Sequence, residues 1–194
     1  MSEEIEVKFL DIDKTQLEKQ LVDLGAKKVG DWLYRRQVFD YPDLRLDKQG
    51  AWLRLRDEGD AVRLCFKQRV GWKPGSNQGD DDGMQEIEIV VEDFNKTAQL
   101  IRELGLVDKF YFENRRTRYV KDGVEFDIDE WPLINPYLEI ESDSWDKVDE
   151  AISWLGLNKD DAKKFSTTQI YALAGINDKD YIRLTFNEAI KRDE

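Results

Sequence analysis

The chain opens on a strict alternation. Glu4, Glu6 and Lys8 fall on one side, and Ile5, Val7 and Phe9 on the other. A period of two predicts a β-strand with unlike faces. Seven later strands are predicted, over 27–41, 51–56, 61–68, 85–91, 111–121, 124–130 and 137–141, and the charged alternation returns in most of them. Arg54 and Arg56 oppose Leu53 and Leu55; Arg63, Cys65 and Lys67 oppose Val62, Leu64 and Phe66; Glu86 and Glu88 oppose Ile87 and Ile89. Arg116 and Arg118 share a face, Asp127 and Asp129 oppose Phe126 and Ile128, and Glu139 and Glu141 oppose Leu138 and Ile140. Between these strands the period shifts to that of a helix. A stripe of Leu17, Leu21 and Leu24, capped by Asp13 or Thr15 and stopped by Gly25, predicts a helix over 11–25. Phe94, Ala98, Ile101 and Leu104 predict a second over 93–105, and further helices are expected over 145–156 and 160–174.

The two halves rhyme weakly. Each runs from an acidic alternating strand to a helix ending Leu-Gly (Leu24-Gly25, Leu104-Gly105), then to aromatic strands bearing arginines. The stretch Gly71–Gly83 is rich in turn formers and reads as a loop; its Asp80-Asp81-Asp82 run lacks the spacing of a calcium loop. No linker splits the chain, so the expectation is one domain over 1–175 followed by a polar tail over 176–194 that can turn helical near Phe186–Lys191.

The apolar faces need helices to cover them, which leaves the charged faces to meet one another. An α+β fold satisfies this as a closed eight-stranded antiparallel β-barrel, charged inside, with helices packed outside. Charges withdrawn from water cost several kcal/mol each unless paired or bound to ions, so such an interior implies a charged ligand. Carboxylates at i and i+2 can share one hard divalent cation, and arginines can grip phosphate oxygens bidentately. Carboxylates, metal and basic groups in one cavity make a phosphoryl-transfer site.

Composition narrows the partners. Of 194 residues, 37% are charged and the net charge is −12, which excludes duplex nucleic-acid binding by bulk charge. Any anion site must be local and densely basic. Histidine is absent, which removes Ser-His-Asp and Cys-His catalysis and imidazole-bound zinc. The one cysteine, Cys65, allows no intrachain disulfide; with no signal peptide and no apolar run of membrane length, a cytoplasmic protein without membrane contact is expected.

Glu4-Ile5-Glu6-Val7-Lys8, followed in order by Leu53-Arg54-Leu55-Arg56, Lys67, Glu86-Ile87-Glu88, Arg116, Asp129 and Glu139-Ile140-Glu141, resembles the CYTH superfamily, the triphosphate tunnel metalloenzymes. The resemblance covers residues 4–171. It implies a tunnel holding a triphosphate with Mg²⁺ or Mn²⁺. By that likeness Glu4, Glu6 and Glu141 hold a metal beside Glu139, and Asp127 joins them. Lys8, Arg54, Arg56, Lys67 and Arg116 bind phosphates, with Arg118 on the same face and Lys163 or Lys164 contributed from the C-terminal helix. Glu86, Glu88 and Asp129 position a second metal or the attacking group and, with Lys8, are the catalytic set. The implied activity is metal-dependent hydrolysis of inorganic tripolyphosphate, thiamine triphosphate or a nucleoside triphosphate. The alternative is a class IV adenylate cyclase forming cyclic AMP and pyrophosphate, and a second alternative is a non-enzymatic triphosphate-binding module. Such cyclases often carry a lysine two residues before Arg116, where this chain has Asn114, and a glycine turn where it has residues 131–136, so hydrolysis is favoured. A homodimer is expected by analogy alone.

Overall fold

The computed structural model describes residues 5–71, 73 and 84–192. Glu4 and nearly all of the Gly71–Gly83 loop therefore lie outside the described residues. In chain order the elements are β1 (Ile5–Phe9), α1 (Lys14–Asp23), β2 (Lys27–Asp40), α2 (Arg45–Lys48), β3 (Ala51–Asp57), β4 (Val62–Arg69), β5 (Met84–Val91), α3 (Phe94–Glu103), β6 (Val107–Lys121), β7 (Val124–Glu130), β8 (Tyr137–Ser142), α4 (Trp145–Trp154), α5 (Thr167–Leu173), β9 (Tyr181–Leu184) and β10 (Ala189–Lys191). All eight predicted strands and the first three predicted long helices are present.

The chain divides into two compact units, Met1–Leu33 with Asn114–Lys179, and Tyr34–Glu113 with Asp180–Glu194. In the first unit α1 and α4 cover the apolar face of β1, β7 and β8. Leu17 and Leu21 from α1 and Val148, Ala151 and Ile152 from α4 pack with Val7, Phe9, Phe126, Ile128, Leu138 and Ile140. In the second unit Phe94, Ala98 and Ile101 of α3 pack with Phe39 and Leu55. The strand and helix that open each half of the weak repeat fall in different units, β1 with α1 in the first and β5 with α3 in the second, but the arginine-bearing strands that follow fall the other way: Arg54 and Arg56 lie in the second unit and Arg116 and Arg118 in the first. Asp13 caps α1 by accepting from the Gln16 N–H, and Asp93 caps α3 by accepting from the Lys96 N–H. Gly25 and Gly105 end these helices with φ of 79° and 91°, a region that strains any side chain bearing a Cβ.

Four expectations are corrected. Among the described residues the ladder order is β1-β8-β7-β6-β2-β3-β4-β5, with β1 and β5 as its ends and β9 and β10 attached beside β6, so the sheet is open and has ten strands rather than a closed eight. The charged faces find their counter-charges on adjacent strands of one sheet, which meets the electrostatic demand from which closure was inferred. The apolar side of β5 is likewise not covered: Ile87 and Ile89 are exposed.

The helix expected over 160–174 is broken. A 3-10 turn at Lys159–Asp161 is followed by extended chain, and Lys163 exchanges both backbone hydrogen bonds with Lys8 (2.8 and 2.9 Å). The backbone groups on that edge of β1 outcompete the helix for Lys163. Helix α5 then starts at Thr167 because Ser166 and Gln169 form a reciprocal capping box. The tail is not helical near Phe186–Lys191. It forms β9 and β10, and β9 runs parallel to β6 with Tyr111 opposite Arg183. No helix among the described residues is long and apolar enough to cross a membrane.

Candidate functional site

The alternation seen in sequence delivers two charged clusters, one in each unit. In the first unit the registers place Glu6 opposite Glu141, Lys8 opposite Glu139, Glu139 opposite Asp127, Asp127 opposite Arg118 and Asp129 opposite Arg116. Side chains of one parity on four consecutive strands therefore share one face. Arg116 is the hub. Its Nε and one terminal nitrogen donate to both oxygens of Asp129 at 2.7 and 2.5 Å, and further contacts reach Asp127 at 2.7 Å and Glu139 at 3.2 Å. Arg118 holds Asp127 bidentately at 2.7 and 2.6 Å. Lys8, with 5% of its side chain exposed, bridges Glu6 at 2.5 Å and Glu139 at 2.9 Å.

Burial and pairing compete at each group. Burial lowers the Lys8 pKa, but Glu139 and Glu6 outweigh it and the net shift is upward. Burial raises Glu139, yet Arg116 and Lys8 prevail and hold it below the usual carboxylate range. At Asp129 burial wins over the pull of Arg116 and pushes the carboxyl upward. Two neighbouring carboxylates thus shift in opposite directions.

Glu6, Glu139 and Glu141 form a triad whose oxygens lie within 4.8 Å of one another. Carboxylate oxygens at this spacing suit a hard divalent ion such as Mg²⁺ or Mn²⁺. The Lys8 ammonium lies against two of the three, a cation already gathered by the same oxygens. The residues therefore fit the metal that the resemblance implies. Asp127 stands apart from this triad, engaged by Arg116 and Arg118.

In the second unit β3, β4 and β5 place Arg54 opposite Cys65, Cys65 opposite Glu88, and Lys67 opposite Glu86. Lys67 pairs with Glu86 at 2.7 Å, and Arg56 with Glu58 at 2.9 Å and Glu88 at 3.3 Å. Arg54 differs: no carboxylate lies within ion-pair distance among the described residues, and its buried Nε has no hydrogen-bond partner. Burial and then the neighbouring Arg56 lower its pKa.

Cys65 is buried and donates to Glu86 at 2.9 Å. Burial, then that carboxylate, push its thiol up to about 11. Cys65, Glu86 and Glu88 also cluster within 4.8 Å. This group offers a thiol where the first offers a third carboxylate, so it suits a hard ion less well than the all-oxygen triad. We expect iodoacetamide to label native Cys65 at pH 8 at least about tenfold more slowly than the unfolded chain, read by mass spectrometry, because thiolate is the reactive form. Equal rates would remove the protonated, buried thiol from this description.

Of the other predicted residues, Lys163 lies in the bridge to β1, and Lys164 sits over the Trp145 ring at 4.0 Å. Neither reaches a residue of the charged clusters by a side-chain contact. Three members of the clusters were not assigned to the site from sequence: Glu58, Glu125 and Arg63. Glu58 pairs with Arg56. Glu125 pairs with Arg118 at 2.5 Å and Arg63 approaches Glu88 at 3.7 Å. Both were marked by the alternation, since Glu125 precedes Asp127 by two and Arg63 precedes Cys65 by two.

A sheet with helices on its apolar face and paired carboxylates and cations on the other defines a class, and the CYTH domain family model matches residues 2–166. The chain belongs to the CYTH domain family. It is 27% identical over 138 residues to "Putative adenylate cyclase MJ0240" of Methanocaldococcus jannaschii, covering 71% of this chain and 75% of that protein. Among solved structures it resembles the PH1012 protein of Pyrococcus horikoshii (20% identity, TM-score 0.58, 87% of this chain and 99% of that one). It also resembles HpAC1 of Hippeastrum, a "putative adenylyl cyclase" (16% identity, TM-score 0.55, 90% and 97%). At such identities the structural likeness speaks for the fold.

Proposed function

We propose that this chain is a divalent-metal-dependent phosphohydrolase acting on a triphosphate. The observation that carries the reading is Arg54. Lys8, Arg56, Lys67, Arg116 and Arg118 each hold at least one carboxylate, whereas half-buried Arg54 holds none among the described residues. A desolvated guanidinium beside another cation is completed by an anion from outside, and its planar fork suits phosphate.

Glu6, Glu139 and Glu141 are the proposed metal ligands, as is Glu4, which lies outside the described residues. The ion supplies charge neutralisation on phosphate oxygens and orientation of the transferred group. Arg54, Arg56, Lys67 and Lys8 bind the phosphates. Asp129 holds Arg116 in a fixed plane, so Arg116 meets phosphate pre-oriented. Glu86 and Glu88 orient the attacking water as they are held by Lys67 and Arg56. Hydrolysis is supported over cyclisation by Asn114 and the 131–136 turn, and by the "dominant" triphosphatase activity that HpAC1 is described as having. Cyclisation is the second reading, supported by the name of the Methanocaldococcus relative.

Phosphorus NMR of products from ATP, tripolyphosphate and thiamine triphosphate, each with Mg²⁺ or Mn²⁺, tests both. Orthophosphate with a diphosphate product is expected. Pyrophosphate with cyclic AMP would replace this reading by the second. Arg54→Ala should weaken tripolyphosphate binding by about tenfold or more, the cost of a lost charge-assisted hydrogen bond, and leave orthophosphate binding much less changed. Equal losses would place Arg54 off the phosphate chain.

A further inference from the structure

Within the first unit a cavity of about 590 Å³ lies where the chain leaves β1 for α1 and meets the loop that follows α4. Half-buried Leu10, Ile12 and Leu157 line it, together with buried Phe9 and Leu17. Phe9 and Lys8 are consecutive on one strand and therefore point to opposite faces. Lys8 belongs to the charged cluster, so the cavity that Phe9 lines is separate from that cluster. A ligand can enter it from solvent, because its lining includes exposed Asp11, Asp13 and Asp161.

The charge of this lining is one-sided. Three carboxylates stand against one ammonium, that of Lys163, an excess of two negative charges. No cation pairs with any of the three among the described residues. Asp13 accepts from the Gln16 N–H at 3.0 Å and Asp11 from the Asn135 amide at 2.8 Å, both neutral donors. The Lys163 ammonium contacts only the Asp160 carbonyl among the described residues, at 3.5 Å. A cavity of this volume suits a small organic ligand. An anion would meet repulsion here, and a wholly apolar ligand would leave the carboxylates unused. We propose that the cavity binds a small amphipathic organic cation, a protonated amine or guanidine on a hydrocarbon body, with its head drawn to the carboxylates and its body against the leucines. The occupant also bears on β1, since Lys163 exchanges backbone hydrogen bonds with Lys8. This assignment is independent of the proposed function.

The test is an amide NMR titration of the full chain at pH 7, with neither metal nor triphosphate present. The probes are phenethylamine, which is protonated at this pH, and 3-phenylpropionate, which carries the opposite charge on a similar body. Phenethylamine should bind with a Kd of about 10 mM or tighter, the weakest expected for a ligand of its size. It should shift the amides of Leu10, Leu157 and Lys163, and bind about fivefold or more tighter than 3-phenylpropionate. Leu157→Trp, which fills the cavity, should abolish binding. Asp161→Lys alters an exposed turn residue and should remove the preference for the cation, so it decides the matter even where Leu157→Trp does not fold. No binding of the amine, equal or tighter binding of the carboxylate, shifts confined to other residues, or a preference that survives Asp161→Lys overturns the assignment. So does a dimer in solution that Leu157→Trp dissociates, because a second copy would then be the occupant.

Discussion

Arg116→Ala should destabilise the protein by about 3–5 kcal/mol, the range for removing one partner of a buried ion pair. For a chain of this length that lowers the melting temperature by about 6–20 °C. The guanidinium is shared by Asp129, Asp127 and Glu139, and the two aspartates are each only 1% exposed. Asp127 keeps Arg118 and Glu139 keeps Lys8, but Arg116 is the cation that holds Asp129. The variant therefore strands one buried carboxylate. Burial already pushes the Asp129 pKa upward against the pull of Arg116, and without that pull it rises further. A carboxyl whose folded pKa exceeds its unfolded value binds the proton more tightly when native, so stability is gained as pH falls through the folded pKa. The deficit of Arg116→Ala against wild type should accordingly shrink as pH falls from 8 toward 5. Arg116→Lys should recover only part of it, since an ammonium cannot form the two-oxygen grip. Melting curves across pH read all of this. An alanine variant that melts with wild type at every pH would remove Arg116 from the centre of the cluster.

Glu6→Gln should do the opposite, leaving the fold and abolishing the proposed chemistry. Glu6 keeps 39% of its side chain exposed, so loss of its charge costs about 1 kcal/mol or less and the melting temperature should move by only a few degrees. It is nonetheless one of three carboxylates converging within 4.8 Å. Glutamine keeps the size and an accepting oxygen but removes the charge that a hard cation needs. Metal-dependent turnover should fall by about 100-fold or more, equivalent to about 2.7 kcal/mol in the barrier, with weaker Mn²⁺ binding in a direct titration. Unchanged turnover and Mn²⁺ affinity would exclude Glu6 as a ligand, and unfolding would make its role structural.

How much of this was legible in the sequence differs by element. The alternation at Glu6/Lys8, Arg54/Arg56, Arg116/Arg118 and Glu139/Glu141 was read correctly because side-chain direction along a strand depends only on local backbone geometry. The caps Asp13 and Asp93 and the glycine stops at 25 and 105 are local for the same reason. The 160–174 segment was misread because Lys163 answers to β1, over 150 residues away in sequence, and helical periodicity carries no trace of that partner. Strands β9 and β10 are short, and β9 exists by pairing with β6, which tail composition does not announce. Closure of the sheet was inferred from charge pairing, and charge pairing turned out to be met between neighbouring strands.

The sequence by itself determined which residues face together, how the helices begin and end, and the absence of histidine chemistry, because each of these is a property of a few consecutive residues or of composition. Only the tertiary structure decided which charges are spent on one another. Register set Arg116 among three carboxylates and, among the described residues, left Arg54 with none and the buried amide of Asn114 without a partner. Those outcomes depend on which strands, far apart in the chain, the fold brings side by side, and the attraction between two charges depends on the distance that pairing sets.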